Sequence, residues 1–422
     1  MGDMGDMGDM AGVADDVGLA PFTARHGPSE GFTPRLRAGA QSSRERLARP
    51  FARAEARRGA MTILIAGGGT GGHLMPALAL AEEIRRLRPD IEPVLVGALR
   101  GVEADLLPAR PWRYHLLPSE PIYRRQWWRN VRWVTVLPRL LRAVGRVLDA
   151  ERPAVVIGTG GYASGPVLWM AARRGIPIVL QEQNAYPGIA TRRLAGRAAQ
   201  IHLGFPEAER YLTVGAHTVV HAFGNPVARV TGRDRAAARR ALGIPPDARV
   251  LFVFGGSQGA RPLNDAVGAA LDRGLLRGVT LLWGTGRGHE DAWTRFHEPP
   301  ARIVRGFWDP IADAYAAADL VLARSGAMTV AELAAWGLPA VFVPLPTAAA
   351  DHQTANARAL VEAGAAVLLP ERALSAERLD RELAGLLADP QALARMAGRA
   401  GERGRTNAGR YIVEAVLQLV AV

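Results

Sequence analysis

The sequence predicts an α/β protein with two Rossmann-like domains, each built on a parallel sheet with helices on both faces. Short apolar runs alternate with helical patterns from Met61 onward, and the first of these runs is TILIAG at 62–67. The alternation begins again with RVLFVFGGSQGA at 249–260, which indicates a second domain of the same kind. Ligands of such sheets bind beyond the carboxyl ends of the strands, so we expect the site in the cleft between the two domains.

Length and composition are those of a soluble or peripheral protein with ample core. The chain has 422 residues, of which 49% are hydrophobic and 22% charged. It contains no cysteine, which excludes a disulfide framework, a cysteine zinc site and a thiol nucleophile. The formal charge of +12 is carried by arginine without any lysine, and it predicts attraction to nucleotides, lipid headgroups or nucleic acid.

Composition also divides the chain into segments. Residues 1–60 open with the repeat MGDMGDMGDM and lack a sustained apolar period, so we expect a disordered N-terminal extension. The first Rossmann-like domain is expected at 61–226. The second is expected at 227–404, after a Gly-Asn-Pro junction. Residues 405–422 are expected to form a helix that packs back on the first domain.

A glycine-rich loop, GGGTGGH at 67–73, follows the first strand, and a helix is expected to open near Pro76. Its Gly-x-Gly-x-x-Gly spacing formally matches a dinucleotide fingerprint. The second strand, however, ends at Ala98 without the acidic residue that would bind a ribose hydroxyl, so a dehydrogenase ranks low. Five glycines exceed what a tight turn requires, and they leave backbone open to a ligand.

Three further glycine loops, at 160–165, 255–259 and 325–327, also follow a strand and precede a helix. Helix N-termini bind phosphates through free N–H groups and a partial positive charge. One such loop is usually a packing feature, but four in two domains indicate two phosphorylated ligands. Because the folded part lacks an Asp-x-Asp pair for a metal-held diphosphate, we expect neither metal nor other cofactor. The helix beginning at Ala327 would then stabilise the leaving group.

Seven motifs, in order along the chain, resemble those of the bacterial peptidoglycan UDP-N-acetylglucosamine (UDP-GlcNAc) transferases. They are GGGTGGHLMPALALAEE, GGYASGP, EQNAYPG, GNPV, GGSQGARPLN, RSGAMTVAE and DHQTANA, and together they cover roughly 61–405. The resemblance implies a GT-B fold, in which two Rossmann-like domains face each other across a cleft. It also implies inverting transfer of GlcNAc from UDP-GlcNAc to the MurNAc of undecaprenyl-pyrophosphoryl-MurNAc-pentapeptide (lipid I), giving lipid II. The alternative is another GT-B UDP-sugar transferase with a different lipid acceptor, such as diacylglycerol.

The resemblance further implies roles for individual residues. Within the donor set, Glu332 would take the ribose hydroxyls, Gln353 would read the sugar, and Trp308 would contact uracil through its backbone. Arg229 is the candidate for the diphosphate, because Ala228 stands where the family usually has arginine directly after GNPV. The full implied donor set is Thr70, Gly71, Gly72, Asn184, Ser257, Trp308, Ala327, Met328, Thr329, Val330, Ala331, Glu332 and Gln353. The implied acceptor set is Gly69, Gly160, Gly161, Tyr162 and Ser164.

His73 is the candidate general base for the acceptor hydroxyl, since it follows the first glycine loop and histidine titrates near neutrality. The alternative is a residue at a helix start that binds phosphate or backbone. Sequence reasoning finds no clear second base, and it assigns no role to Glu103 or Asp105 beyond the second strand.

Residues 110–146 hold nine arginines, a single acid and four tryptophans. Their apolar residues recur at helical spacing and predict one stripe, interrupted by Pro138: Trp127, Val131, Val134, Leu141, Val144 and Leu148. Part of this stripe suits an ordinary helix packing on the sheet. Tryptophan beside arginine also suits the headgroup layer of an anionic membrane, and the residues expected there are Arg124, Arg125, Trp127 and Trp128.

The resemblance places such a protein peripherally on the cytoplasmic side of the bacterial inner membrane. The partners that it implies are UDP-GlcNAc, a polyprenyl-pyrophosphate-linked acceptor and the anionic membrane surface. Nucleic acid is not expected among them, because a nucleic-acid-binding protein would explain the charge alone.

Overall fold

The computed structural model describes residues 61–120, 127–228, 230, 234–256 and 258–420. The expected N-terminal extension at 1–60 therefore lies outside the described residues.

In the first half of the described chain, strands and helices alternate as the sequence predicts. The strands are β1 (Met61–Gly67), β2 (Ile91–Ala98), β3 (Arg113–Leu117), β4 (Val155–Gly160), β5 (Ile178–Glu182), β6 (Gln200–Leu203) and β7 (Val219–His221). The helices are α1 (Gly71–Leu87), α2 (Glu103–Leu106), α3 (Trp133–Glu151), α4 (Ser164–Arg173) and α5 (Ile189–Leu194). A 3₁₀ segment, Trp127–Arg132, leads into α3.

The second half repeats the pattern. Its strands are β8 (Arg249–Phe254), β9 (Val279–Gly284), β10 (Arg302–Arg305), β11 (Leu320–Ala323), β12 (Ala340–Phe342) and β13 (Ala366–Leu368). Its helices are α6 (Arg235–Ala241), α7 (Arg261–Asp272), α8 (Ile311–Ala317), α9 (Ala327–Trp336), α10 (His352–Glu362), α11 (Ala376–Leu387), α12 (Pro390–Arg403) and α13 (Ala408–Gln418). Among the described residues, no helix is both long and apolar enough to cross a membrane.

The strands form two parallel sheets, ordered β3-β2-β1-β4-β5-β6-β7 and β10-β9-β8-β11-β12-β13. The strand order reverses between β1 and β4 in the first sheet and between β8 and β11 in the second. The four glycine loops predicted from sequence follow these four strands, so each pair of loops flanks one switch point. Ligands of open α/β sheets bind at this position. The predicted fold class is confirmed.

Each sheet is covered on both faces, which explains why its strands are apolar without alternation. In the first sheet, Leu64 and Val156 pack with α3 and α4 on one face, while Ile63 and Ile65 pack with α1 on the other. The second sheet is covered by α8, α9 and α10 on one face and by α7 and α11 on the other.

The C-terminal helix α13 packs on the first sheet, whereas the preceding helix α12 packs beside the second. Ile412, Val413 and Val416 are buried in the same cluster as Ile63 and the apolar side of α1. Gln200 Nε2, in β6, also donates to the carbonyl of Ala415 at 2.9 Å. The chain therefore returns to its first domain after completing the second.

One predicted boundary is wrong. Helix α1 begins at Gly71 and not near Pro76, because His73 N and Leu74 N already donate to the carbonyl of Thr70. Pro76 lies inside the helix, where its missing N–H forfeits only the bond to the carbonyl four residues earlier. The earlier start makes Gly71 and Gly72 the first residues of the helix and directs their N–H groups out of its N-terminus.

Candidate active site

The loop between β1 and α1 presents Thr70, Gly71 and Gly72 at the protein surface. Gly69 precedes them with a φ of +90°, a backbone conformation that favours glycine. Gly71 and Gly72 open α1, where backbone N–H groups lack intrahelical acceptors. These residues therefore offer backbone donors to a ligand at the switch point of the first sheet.

His73 lies in the first turn of α1, with its ring against the loop that follows β4. Its Nδ1 lies 2.9 Å from Thr70 Oγ1. A Cβ on Gly160 would lie 2.7 Å from the ring carbon Cδ2, so only glycine lets the ring pack there. Burial lowers the pKa of His73, as does the charge of His352, whereas the charge of Glu182 raises it. The ring therefore stays neutral, and able to accept a proton, to lower pH than an ordinary histidine.

The loop after β4 contacts the loop after β1 directly. Gly160 and Gly161 have φ of +93° and +82°, and a Cβ on Gly161 would lie 1.8 Å from the carbonyl oxygen of Gly68. The Tyr162 ring lies against Gly69, where a Cβ would come within 2.4 Å of the ring. The residues implied for the acceptor are thus brought together beside His73.

Ser164 is an exception among them. It is fully buried, and its hydroxyl donates to the carbonyl of Gly161 at 3.0 Å. The side chain therefore stabilises the turn into α4, and a direct contact between this hydroxyl and the acceptor is not supported by the structure.

Glu182, at the end of β5, holds the EQNAYPG loop in place through hydrogen bonds to its carboxylate. Its buried carboxylate accepts from the Asn184 backbone and side-chain N–H groups, at 3.0 and 3.1 Å, and from Gly188 N at 2.9 Å. Thr191 Oγ1 adds a fourth bond at 2.6 Å. Sequence reasoning singled out Asn184 and missed Glu182, although both belong to the same motif.

Asn356 joins the two domains at this loop. It is fully buried in α10, its Oδ1 accepts from Ala185 N at 2.8 Å, and its Nδ2 lies 3.2 Å from Asn184 Oδ1 and 3.3 Å from the Ser325 carbonyl oxygen. One amide thus connects the β5–α5 loop of the first domain to the β11–α9 loop of the second. This contact fixes the position of Asn184 relative to the N-terminus of α9.

On the second domain, Gln353 is held by two loops. Its Oε1 accepts from Leu345 N at 3.0 Å, and its carbonyl accepts from Ser325 Oγ at 2.8 Å. The side chain thus already has a structural contact before any sugar binds. Replacing Gln353 by alanine would remove the bond to Leu345 N as well as a sugar contact. A change in donor binding in that variant would therefore not distinguish a disturbed loop from a lost sugar contact.

Helix α9 begins at Ala327, as the sequence predicts, and directs its N-terminus toward the β11–α9 loop. Ala327 and Val330 are buried in the core, whereas Met328, Thr329 and Ala331 are partly exposed. Ala327 can therefore offer a ligand only its backbone, whereas the backbone N–H of Val330 already donates to the carbonyl of Gly326 at 3.0 Å.

Glu332, in the second turn of α9, accepts a hydrogen bond from Tyr315 Oη at 2.9 Å. Burial raises the pKa of Glu332 to about 6, and the hydrogen bond from Tyr315 opposes that rise. The carboxyl is therefore an acceptor with one known donor and a titration point within the range of a pH–rate profile.

Trp308 is buried in the core of the second domain, with its ring edge-on to Phe252 and the guanidinium of Arg305 over its face. Its ring is thus a packing element, and the uracil contact that the resemblance implies is one through its backbone. Ser257 and Arg229, predicted for the diphosphate region, lie outside the described residues.

In the segment from 127 to 151, the predicted stripe is buried only toward its C-terminal end. Val144 and Leu148 pack on the first sheet, whereas Trp128, Val131, Val134 and Leu137 are 42–76% exposed. Val134, Leu137, Val144 and Leu148 share one side of α3 by their spacing, so this side is exposed near the N-terminus of the helix and buried on the sheet toward its C-terminus. We call Trp128, Val131, Val134 and Leu137 the apolar patch. Arg124, Arg125 and the side chain of Trp127 lie outside the described residues.

The chain has two Rossmann-like domains with glycine loops at both switch points. The N-terminus of α9 lies at the β11–α9 loop, which Asn356 connects to the first domain. This arrangement is that of the GT-B glycosyltransferases. Solved structures agree: the crystal structure of Acinetobacter baumannii MurG superposes with a TM-score of 0.68 at 26% identity, covering 85% of this chain and 99% of that one. The glycotransferase of kitacinnamycin, at 17% identity and a TM-score of 0.62, shares the fold.

The family models narrow the class. The N-terminal domain of glycosyltransferase family 28 matches residues 63–203, and the C-terminal domain of that family matches residues 250–410. Two curated relatives are each named UDP-N-acetylglucosamine–N-acetylmuramyl-(pentapeptide) pyrophosphoryl-undecaprenol N-acetylglucosamine transferase. The relative from Salinibacter ruber is 42% identical over 85% of this chain and 96% of its own length, and that from Carboxydothermus hydrogenoformans is 40% identical over 81% and 93%. The chain belongs to glycosyltransferase family 28, the family of these N-acetylglucosamine transferases.

Proposed function

We propose that this chain is a hexosyltransferase that moves GlcNAc from UDP-GlcNAc to the MurNAc of lipid I, giving lipid II. The proposal rests on the contact between the two domains. His73 and the β4–α4 loop lie on the first domain, and Glu332 and the α9 N-terminus lie on the second. Asn356 connects the two domains through its side-chain amide. The named relatives perform this transfer. Lipid II formation is a step of peptidoglycan synthesis, through which such an enzyme serves cell wall biogenesis, cell shape and cell division.

The reaction is a single displacement with inversion. The acceptor hydroxyl oxygen forms a bond to the anomeric carbon of GlcNAc while the bond from that carbon to the diphosphate oxygen breaks, and UDP leaves with the electron pair. His73 accepts the hydroxyl proton. For Nε2 to act as this base, Nδ1 must carry the hydrogen, and Thr70 Oγ1 can accept it, so the contact is compatible with the useful tautomer.

Donor binding falls to the second domain and the joining loop. The N-terminus of α9 stabilises the charge on departing UDP, since helix N-termini favour anions without a metal. Glu332 accepts from the ribose hydroxyls, and Gln353 and Asn184 contact the sugar. Thr70, Gly71 and Gly72 approach the reacting centre from the first domain.

The test of this function is transfer of labelled GlcNAc from UDP to a lipid I analogue. We expect a β-linked product with polyprenyl-pyrophosphoryl-MurNAc-pentapeptide and no transfer to diacylglycerol offered at the same concentration. Product formed on diacylglycerol alone would replace the proposed acceptor while leaving the GT-B class intact.

The enzyme also needs to reach a polyprenyl-anchored substrate, and we infer that the apolar patch docks on the cytoplasmic face of the inner membrane. Val134 is 76% exposed and Val131 is 67% exposed, an unusual state for β-branched apolar residues in one turn of chain. Arg132, Arg139 and Arg142 are exposed nearby. Apolar residues flanked by arginines suit the headgroup layer of anionic lipid.

Replacing Trp128, Val131 and Val134 together by serine is expected to abolish co-sedimentation with anionic vesicles and to slow turnover on long-chain lipid I. Turnover on a short, water-soluble acceptor should survive, because no residue of the patch belongs to the implied donor or acceptor set. Binding by the parent should weaken as salt rises, each nearby arginine contributing about 1 kcal/mol at low salt.

The matched control replaces two similarly exposed valines, Val214 and Val219 at the opposite sheet edge, by serine. Vesicle binding that is equal in the patch variant and this control would exclude the apolar patch as the membrane anchor.

A further inference from the structure

A carboxyl group lies buried beneath the first glycine loop, outside the donor and acceptor sets. Glu103 is the first residue of α2, on the connection between β2 and β3, and it is fully buried. Its Oε1 accepts from Gly69 N at 2.8 Å and from Ala98 N at 2.6 Å, and its Oε2 lies 2.9 Å from Gly69 N. Every hydrogen bond described for this carboxyl comes from a backbone N–H.

Three glycines leave the space that this side chain occupies. A Cβ on Gly68, Gly97 or Gly101 would lie 2.2, 2.4 or 2.3 Å from an atom of the Glu103 side chain. Real Cβ contacts are never so close, so each of these positions has to remain glycine while Glu103 is in place. Gly97 lies in β2 and Gly101 on the β2–α2 connection, so neither belongs to the glycine loop itself. The space around the Glu103 carboxyl is thus formed by two separate stretches of the chain, the first glycine loop and the end of β2 with its connection to α2.

The bond to Gly69 acts one residue before the reacting groups. Gly69 N–H points at Glu103, so this donor is not available to a phosphate of either substrate. The next residue, Thr70, caps α1, and its hydroxyl contacts His73 Nδ1. The orientation of the His73 ring therefore depends on where the Gly69–Thr70 peptide is held.

We propose that Glu103 is a positioning residue for the transfer reaction: it clamps the backbone of Gly69 and thereby sets the direction of Thr70 and the His73 ring. The proposal rests on the function proposed above for its kinetic readout. Glu103 touches neither substrate nor reacting atoms in this scheme. In this scheme, the first glycine loop fixes the position of the base, His73. The backbone N–H groups that could bind an anion are those of Gly71 and Gly72.

The test compares Glu103→Gln with Glu151→Gln. Glutamine keeps the volume of Glu103 and one oxygen that can still accept, but it places an NH2 group where Oε2 now accepts from Gly69 N, so two donors oppose each other at the loop. Glu151 is a second buried glutamate of the first domain, bonded to Arg113 and His115 at the far end of α3, so its variant controls for a general loss of stability.

We expect Glu103→Gln to lower kcat roughly 10- to 100-fold, since a displacement near 1 Å at a catalytic group costs about that much. The KM for UDP-GlcNAc should stay within about twofold of the parent, and the acid limb of the kcat profile should shift. Glu151→Gln should keep parental kcat and profile whatever its melting temperature. Parental kcat in Glu103→Gln, or a loss that Glu151→Gln matches at equal melting temperature, would overturn the proposal.

Gly101→Ala provides a second variant in case Glu103→Gln does not fold. The added methyl displaces the carboxyl without changing its chemistry, and the same fall in kcat is expected. Titration of His73 by NMR separates this proposal from the proposed function, because it needs no turnover. A His73 pKa that moves in the Glu103 or Gly101 variant, and not in Glu151→Gln, supports the clamp even if lipid I proves to be the wrong acceptor. An unmoved pKa in both variants contradicts it.

Discussion

Replacing His73 by alanine is expected to lower kcat by roughly 10²- to 10⁴-fold, the range over which general bases contribute. The ring lies against Gly160, within the group of loops proposed to bind the acceptor, and its Nδ1 lies 2.9 Å from Thr70 Oγ1. Alanine removes the proton acceptor but leaves the α1 backbone intact, so the KM for UDP-GlcNAc should change little. Steady-state kinetics on a lipid I analogue measure both quantities.

The pH profile gives a second readout of the same residue. Because burial lowers the pKa of His73, its neutral form persists below the ordinary value of 6.5. The acid limb of the parental profile should therefore fall below that pH, and the His73→Ala profile should lose this limb. The lowered pKa of His73 also contributes to the stability of the folded state at pH above the ordinary pKa. This contribution is lost as pH falls from the ordinary pKa to the lowered pKa of the folded state.

A matched control is His217→Ala, which removes an exposed histidine between β6 and β7. This variant should retain parental kcat and profile. A His73→Ala enzyme that loses affinity for the acceptor but keeps kcat would make His73 a binding residue, the alternative that the sequence left open.

The second large effect is expected at Glu332. Glutamine in its place keeps one acceptor oxygen and replaces the other with a donor, so a ribose hydroxyl loses its partner. Loss of such a hydrogen bond costs about 1–3 kcal/mol, equivalent to a rise of roughly 5- to 150-fold in the KM for UDP-GlcNAc. The melting temperature should change little, because Tyr315 Oη can still donate to the remaining oxygen. An unchanged KM would remove Glu332 from the donor site.

Glu332 should also make donor binding depend on pH. Its pKa is raised to about 6, so the carboxylate that accepts from ribose is lost as pH falls through about 6, and the KM should rise there. The Glu332→Gln profile should be flat over the same range. Tyr315→Phe removes the hydrogen bond that lowers this pKa, so its midpoint should move to higher pH. A midpoint that moves the other way would contradict the pairing.

The sequence predicted most of the scaffold because its signals are local. Alternating apolar runs identify the strands, and the glycine loops after β1, β4, β8 and β11 mark the switch points. The start of α1 was misplaced because Pro76 is tolerated inside a helix as well as at its beginning. The stripe predicted over 127–148 is buried only toward its C-terminal end, since periodicity alone does not reveal which part of a helix the sheet covers.

The amino-acid sequence by itself determined the fold class, the family and the motifs from which the candidate site is drawn. Only the tertiary structure decided which side chains in those motifs face the cleft and which hold it together. Ser164 is buried beneath its turn, Asn356 joins the two domains, and Glu103 reaches back to a loop 34 residues earlier in the chain. Motif and periodicity report residues a few positions apart. A buried polar group must find its partner wherever the fold brings one, so such pairings appear only when the chain is folded.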